Sequence, residues 1–192
     1  MTYGCELPQE RLLQYIHFNR YHNTMMINKL REEMRHITRG FSCEAPWTHL
    51  AGGCYRFLTE KLSWDGAKEA CERLPGGGRL VEIRTEEQND AIYEEAKKLI
   101  MPTAWIGLSD RAREGEWVWT SGETATFTNW ARMPGQEPMP DNYRGIDKNG
   151  ENCAVINTDP NAKNNWEVPQ KWNDVSCLVG GATGAICSKS HN

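Results

Sequence analysis

At 192 residues, with 22 basic against 26 acidic side chains and a net charge of −4, the chain can bury the core of one ordinary domain and carry an appendage. Without a basic run it offers a nucleic acid little to hold. No apolar stretch approaches the ~20 residues that cross a bilayer, so no membrane span is expected.

Residues 1–42 differ in character from the rest. Leu13, Ile16, Ile27, Leu30, Met34 and Ile37 follow a heptad register, with Arg20 and Asn23 in the remaining seam positions. No proline falls between Pro8 and Pro46, so a helix of about thirty residues, roughly 45 Å long, is expected. Such a stripe either packs back on a globular domain or zips to copies of itself. The register favours a homo-oligomer, dimer or trimer, through residues 7–38. Cys5, just upstream, is then placed for an interchain disulfide; the alternative is a free thiol. The first residues, Met-Thr-Tyr-Gly-Cys-Glu, lack the regions of a signal peptide, which fits a mature form.

Residues 43–58 read as a hairpin with Gly52-Gly53 near its turn. Ser63 is an N-cap candidate for a helix marked by Trp64, Ala67, Ala70, Cys71 and Leu74 and stopped at Pro75-Gly76-Gly77-Gly78. A short strand is expected at 80–83. Thr85 and Gln88 make a capping box for a second helix over about 86–100. Short apolar strands follow at 105–108, 117–119, 153–156 and 184–187.

Seven cysteines stand at 5, 43, 54, 71, 153, 177 and 187. None forms a Cys-x-x-Cys pair and no histidine cluster accompanies them, which argues against zinc. Six in one segment imply three disulfides and an oxidising, extracellular setting, so the chain reads as secreted. Six cysteines allow fifteen pairings, and spacing does not choose among them. The histidines are scattered, and neither a nucleophile arrangement nor a phosphate-cradling loop is readable, so the chain does not read as an enzyme.

The densest chemistry lies between Trp130 and Cys177. Glu151, Asn173 and Asp174, with Asp141 and Asn142 upstream, mix carboxylates and amides in the way that suits calcium, which takes six to eight oxygens. Glu151-Asn-Cys153 and Trp172-Asn-Asp174 before Cys177 resemble the calcium-binding half of the C-type lectin domain. The resemblance extends over residues 43 to about 189, through Cys43…Cys54-Tyr55, Ala70-Cys71, Gly78-Arg-Leu-Val-Glu-Ile83, Trp105-Ile-Gly-Leu108, Trp117-Val-Trp119 and Ala185-Ile-Cys187.

That resemblance implies an α+β fold of the long-form C-type lectin type, with two helices flanking small antiparallel sheets and a long calcium-binding loop. The N-terminal helix precedes it, giving a helical segment at 1–42 and a lectin domain at 43–192. It also implies the pairing Cys43 with Cys54, Cys71 with Cys187 and Cys153 with Cys177. Sugar-binding members hold Ca2+ by a Glu-Pro-Asn or Gln-Pro-Asp tripeptide, a later Glu and the Asn-Asp of Trp-Asn-Asp, the last three matching Glu151, Asn173 and Asp174.

The tripeptide departs from both patterns. Met139-Pro140-Asp141 has methionine for Gln, and Glu137-Pro138-Met139 has methionine for Asn. A composite of Glu137, Asp141, Glu151, Asn173 and Asp174 is the expected ligand set. Tyr143 stands where galactose-type members place an aromatic ring. A second ion is implied at Asp110 and Glu114, completed by Asn142, Glu151 and Asn152. Trp166 either extends the contact surface or packs in the core. The expected function is a calcium-dependent lectin for glycans or glycoproteins, leaning to galactose and N-acetylgalactosamine. The alternative is a module of the same fold that binds a protein or mineral surface, which Met139 supports.

Overall fold

The computed structural model describes residues 9–39, 43–132, 135, 138–162, 168–178 and 180–189, with the α1 side chains at 9, 10, 13 and 17–32. Cys5, Glu137 and Trp166 lie outside the described residues. Two compact units divide the chain, Met1–Ser42 and Cys43–Asn192.

In the first unit α1 runs Gln9–Arg39 without a proline or glycine, and Glu10 sits in its first turn, where a negative charge suits the helix dipole. The seam residues Leu13, Ile27 and Leu30 are exposed, as are Phe18, Tyr21, Met25 and Met26.

In the second unit β1 (Thr48–Leu50) and β2 (Gly53–Leu58) form a hairpin. Leu50 pairs with Gly53, so the turn is Ala51-Gly52, one residue earlier than the sequence reading. Both turn residues have positive φ (40° and 74°), as a two-residue hairpin turn demands. Next, α2 (Trp64–Glu72) begins where Ser63 Oγ accepts the Gly66 N–H at 3.1 Å. After β3 (Arg79–Leu80), Thr85 caps α3 (Glu86–Lys98), accepting the Gln88 N–H at 3.2 Å. The remaining strands are β4 (Thr103–Ser109), β5 (Val118–Trp119), β6 (Cys153–Asn157), β7 (Trp172–Val175) and β8 (Gly184–Lys189).

They join in one sheet ordered β1-β2-β8-β4-β6-β7, with β3 added to β8 and β5 to β4. Every pairing is antiparallel except β4 with β8. Alternation along β4 divides the core in two. Ala104, Ile106 and Leu108 join Val81, Ile83, Ile92 and Trp172, whereas Trp105 joins Trp64, Cys71 and Leu80. A β-carbon at Gly107 would lie 2.8 Å from the Leu80 carbonyl oxygen, so glycine there lets β4 approach the chain after β3.

The strand expected at 80–83 is shorter. Beyond Leu80 the chain leaves regular pairing, yet Val81 donates to the Ile186 carbonyl and accepts from Gly107, both at 2.8 Å. Val81 therefore bridges β8 and β4 instead of extending one ladder. β7 was not expected as a strand, because Asn and Asp are poor strand formers. Pairing of Ile156 with Trp172 and of Ala154 with Asp174 overrides that preference.

Disulfides join Cys43 to Cys54, Cys71 to Cys187 and Cys153 to Cys177. The second, spanning 116 residues, fastens α2 to β8. Closing a loop of that length removes unfolded-chain entropy equivalent to about 4–5 kcal/mol in the simplest model.

Asn89 on α3 is fully buried and bridges two parts of the chain. Its side chain accepts the Trp172 indole N–H at 2.8 Å and donates to the Gln170 carbonyl at 3.1 Å. Replacing it with leucine strands a buried donor and an acceptor. Asn89→Leu is expected to cost about 2–3 kcal/mol, read by denaturant unfolding; a loss below about 0.5 kcal/mol would contradict this account.

Candidate functional site

The site is built where a long loop meets the β6–β7 edge. Among the described residues between β5 and β6 no strand forms, and the isolated bridges there are Val118 to Thr124 and Trp130 to Trp172. Backbone bonds fasten it to β7: Trp172 donates to Asn129 and Ala131 to Trp172, both at 2.8 Å. Below them Trp130 packs on Trp117 and Trp172, with ring centroids 4.6 and 5.8 Å away. This aromatic floor holds the start of the loop. Its far end is held by charge.

Asp174 is fully buried in β7 and accepts the backbone N–H groups of Asn142 at 2.8 Å and Asp141 at 3.2 Å. Asn142 has φ 47°, a left-handed conformation that asparagine tolerates better than most residues. Its amide oxygen accepts the Glu151 N–H at 3.0 Å, and its amide nitrogen donates to Glu114. The Met139–Pro140 peptide between these anchors and Ala131 is cis.

This folding gathers Asp141, Glu151 and Asp174, each of which offers one carboxylate oxygen within 4.8 Å of those of the other two. Crowding of like charge in a half-buried place alters their chemistry. Burial, then the charges of Asp174 and Asp141, pushes Glu151 up to about 7. Burial likewise pushes Asp174 up to about 6, against the opposing pull of its two backbone donors. Asn173, the residue before Asp174 in β7, is buried, and its amide oxygen has no hydrogen-bond partner among the described residues. Three converging carboxylates, with an orphaned amide oxygen one residue away in the chain from Asp174, make a donor set that fits a hard cation, and calcium's relaxed geometry suits it.

Asp110 and Glu114 fall outside that group of three but connect to it through Asn142. Asp110 is buried, with one oxygen accepting the Gly115 N–H at 2.9 Å and the other unpartnered. Its pKa is raised, by burial first and by Glu114 in addition, while the Gly115 bond opposes the shift. The Asn152 carbonyl accepts the Asp110 N–H at 3.2 Å, and its side chain turns to the Asn149 carbonyl. Tyr143 is 55% exposed, and its ring lies against Gly145.

One organising residue escaped the sequence reading. Asp147 accepts the Ser176 hydroxyl at 2.8 Å and the Asn149 N–H at 2.9 Å, so it ties the loop to the turn after β7. Those bonds, Asn149 first, hold its carboxyl below the usual range. The Asp-Lys-Asn-Gly turn signature at 147–150 was the available signal.

The raised carboxyls have a consequence for stability. A group whose folded pKa exceeds its unfolded value stabilises the fold while protonated. The contribution of Glu151, with its ordinary value of 4.5 and folded value of about 7, is full at acid pH and lost as pH rises through 7. In chelator, the melting temperature of the wild type relative to Glu151→Gln is therefore expected to fall between about pH 4.5 and 7.5. A flat difference across that window would refute the carboxylate crowding.

Comparison with known proteins adds independent findings. A family model described as "Lectin C-type domain" matches residues 60–189. An alpha-N-acetylgalactosamine-specific lectin of Patiria pectinifera is 32% identical over 136 residues, 68% of this chain and 71% of that protein. Human C-type mannose receptor 2 is 32% identical over 148 residues, which are 77% of this chain but 8% of the receptor. Among solved structures, the cow C-type carbohydrate-recognition domain of CD23, crystallised in the presence of a GlcNAc2Man3 oligosaccharide, superposes with TM-score 0.61 at 30% identity. That match covers 79% of this chain and 98% of the other.

Proposed function

This chain belongs to the C-type lectin domain family, and on that premise we propose that it is a secreted, calcium-dependent lectin for galactose- and N-acetylgalactosamine-type glycans. The fold is that of a carbohydrate-recognition domain, a binding module and not an enzyme. The observation that carries the proposal is the convergence of Asp141, Glu151 and Asp174, and the orphaned oxygen of the adjoining residue Asn173 supports it.

These four residues are the proposed holders of the ion, with Glu137 as a fifth ligand from the loop. Bound there, calcium supplies coordination positions for two vicinal sugar hydroxyls. Asp141 and Glu151 accept hydrogen bonds from those hydroxyls, and the Asn173 amide donates to their lone pairs. Asp110, Glu114 and Asn142 are the proposed auxiliary set, supported by the unpartnered oxygen of Asp110. The exposed Tyr143 ring and the order Met139-Pro140-Asp141 favour galactose-type ligands, since an aromatic face stacks on the apolar face of that sugar. The specificity of the Patiria pectinifera relative agrees.

A single sugar site is weak, and the exposed seam of α1 supports clustering through residues 7–38, with Cys5 as the proposed interchain link. Three disulfides support an extracellular setting. Met139, a thioether where an oxygen ligand belongs, favours a second reading in which the module binds a protein or mineral surface without sugar.

A glycan array with calcium and with chelator separates the two. Binding to terminal galactose or N-acetylgalactosamine, abolished by chelator, is expected. Asp141→Ala and Asn173→Ala should each weaken it at least tenfold, about 1.4 kcal/mol, and Met139→Gln should strengthen it. Silence in both conditions, unrepaired by Met139→Gln, would sink the lectin reading. Mannose-type binding that depends on Glu137 would reassign the specificity.

A further inference from the structure

The turn at 147–150 ties the loop to the chain after β7 but holds none of the proposed ligands. Its chemistry lies elsewhere. Of all the asparagines in the chain, Asn149 alone is followed by glycine. Asparagine is among the thermolabile residues, because the next backbone nitrogen attacks its amide carbon, and a glycine nitrogen has no side chain to shield it. Asn149 is exposed, so water reaches the amide.

The fold requires this pair. Gly150 is buried with φ 87°, and a β-carbon there would collide with the amide oxygen of Asn142. The fold also restrains it. Asp147 accepts the Asn149 N–H on its side chain and the Gly150 N–H on its carbonyl, both at 2.9 Å. The Ser176 hydroxyl fastens the other Asp147 oxygen at 2.8 Å. A Gly150 nitrogen that donates to Asp147 is not free to approach the Asn149 side chain, so reaction waits on opening of the turn.

A second turn supplies the comparison. Asp159 accepts the Asn161 N–H on its side chain at 2.8 Å and the Ala162 N–H on its carbonyl at 3.3 Å. Asn161 is exposed like Asn149, but alanine follows it. The two turns share these bonds and differ in the residue after the asparagine.

We infer that Asn149 is a site of spontaneous covalent modification, converted to aspartate or isoaspartate when the Asp147 latch opens. The Gly150 nitrogen gives its proton to hydroxide and bonds to the Asn149 Cγ. The Cγ–Nδ2 bond breaks, and Nδ2 takes a proton from water and leaves as ammonia, which regenerates the hydroxide. Water then opens the cyclic imide at either carbonyl. One water is consumed and one ammonia released, with no oxidant or reductant. Both products add a negative charge two residues before Glu151. Isoaspartate also lengthens the main chain by one methylene beside buried Gly150, which strains the bond from the Glu151 N–H to Asn142. The inference depends on neither calcium nor a glycan.

The test incubates the full chain, disulfides intact, at mildly alkaline pH in chelator and follows each asparagine by peptide mass, with isoaspartate read by enzymatic methylation. Asn149 is expected to convert at least about tenfold faster than Asn161, yet more slowly than in the reduced, denatured chain. Asp147→Ala should raise the Asn149 rate at least about threefold, since chemistry on an opened segment tracks the open fraction. Ser176→Ala, the milder change, should raise it by a smaller factor and guards against misfolding of the first variant. Ala162→Gly should make Asn161 a second labile site. Equal rates at Asn149 and Asn161, or no conversion of Asn149 in the folded chain, would overturn the site. A rate equal to that of the denatured chain, or unmoved by both latch variants, would overturn the latch. The isoaspartate form, separated from the aged protein, should melt below Asn149→Asp, which carries the same charge on an unaltered main chain; equal melting would overturn the strain at Glu151.

Discussion

The structure of the binding edge depends on one buried carboxylate. Asp174 sits in a strand, fully removed from solvent, and receives two consecutive backbone N–H groups from a loop more than thirty residues away in sequence. A buried carboxylate is costly unless its lone pairs are satisfied, and here the loop satisfies them. The dependence is mutual. Without Asp174 the N–H groups of Asp141 and Asn142 have no partner, and without the loop Asp174 has no counterpart for its charge. Asp141 is thereby fixed beside Glu151, and the cluster exists because the loop folds.

The loop can be long because its base is rigid. Trp117, Trp130, Phe127 and Trp172 meet edge to face or tilted beneath it. The Trp172 indole is anchored in turn by Asn89 on α3. Disulfides secure the sheet on both sides of this floor, Cys71 to Cys187 at its centre and Cys153 to Cys177 beside the ligand residues. The carboxylate cluster thus rides on a loop fastened to a packed scaffold, the division of labour expected of recognition loops.

Much of this was legible in the sequence. Ser63 and Thr85 marked their helices through cap chemistry, and the family resemblance placed Glu151, Asn173 and Asp174 together from ordered motifs alone. What remained hidden depended on contacts between distant residues. Strand β7 is written in Asn and Asp, which local preference assigns to a loop, and only its pairing with β6 makes it a strand. The capping box also differs in detail, since Gln88 reaches back to the Arg84 N–H and not to that of Thr85.

Asn142 carries a consequence of another kind. One end of its amide bonds to Glu114 and the other to the Glu151 backbone, while its own N–H is held by Asp174. A single side chain thus belongs to both acid groups at once. Any event that draws Glu114 or Glu151 towards a new partner must shift or strain the same amide. Thermodynamic reciprocity then requires each group to feel occupancy of the other by the same factor. On the proposed reading, in which each group takes an ion, the two form one cooperative element, whose response to ion concentration is steeper or shallower than that of independent sites according to whether the shared amide is relaxed or strained by the first event.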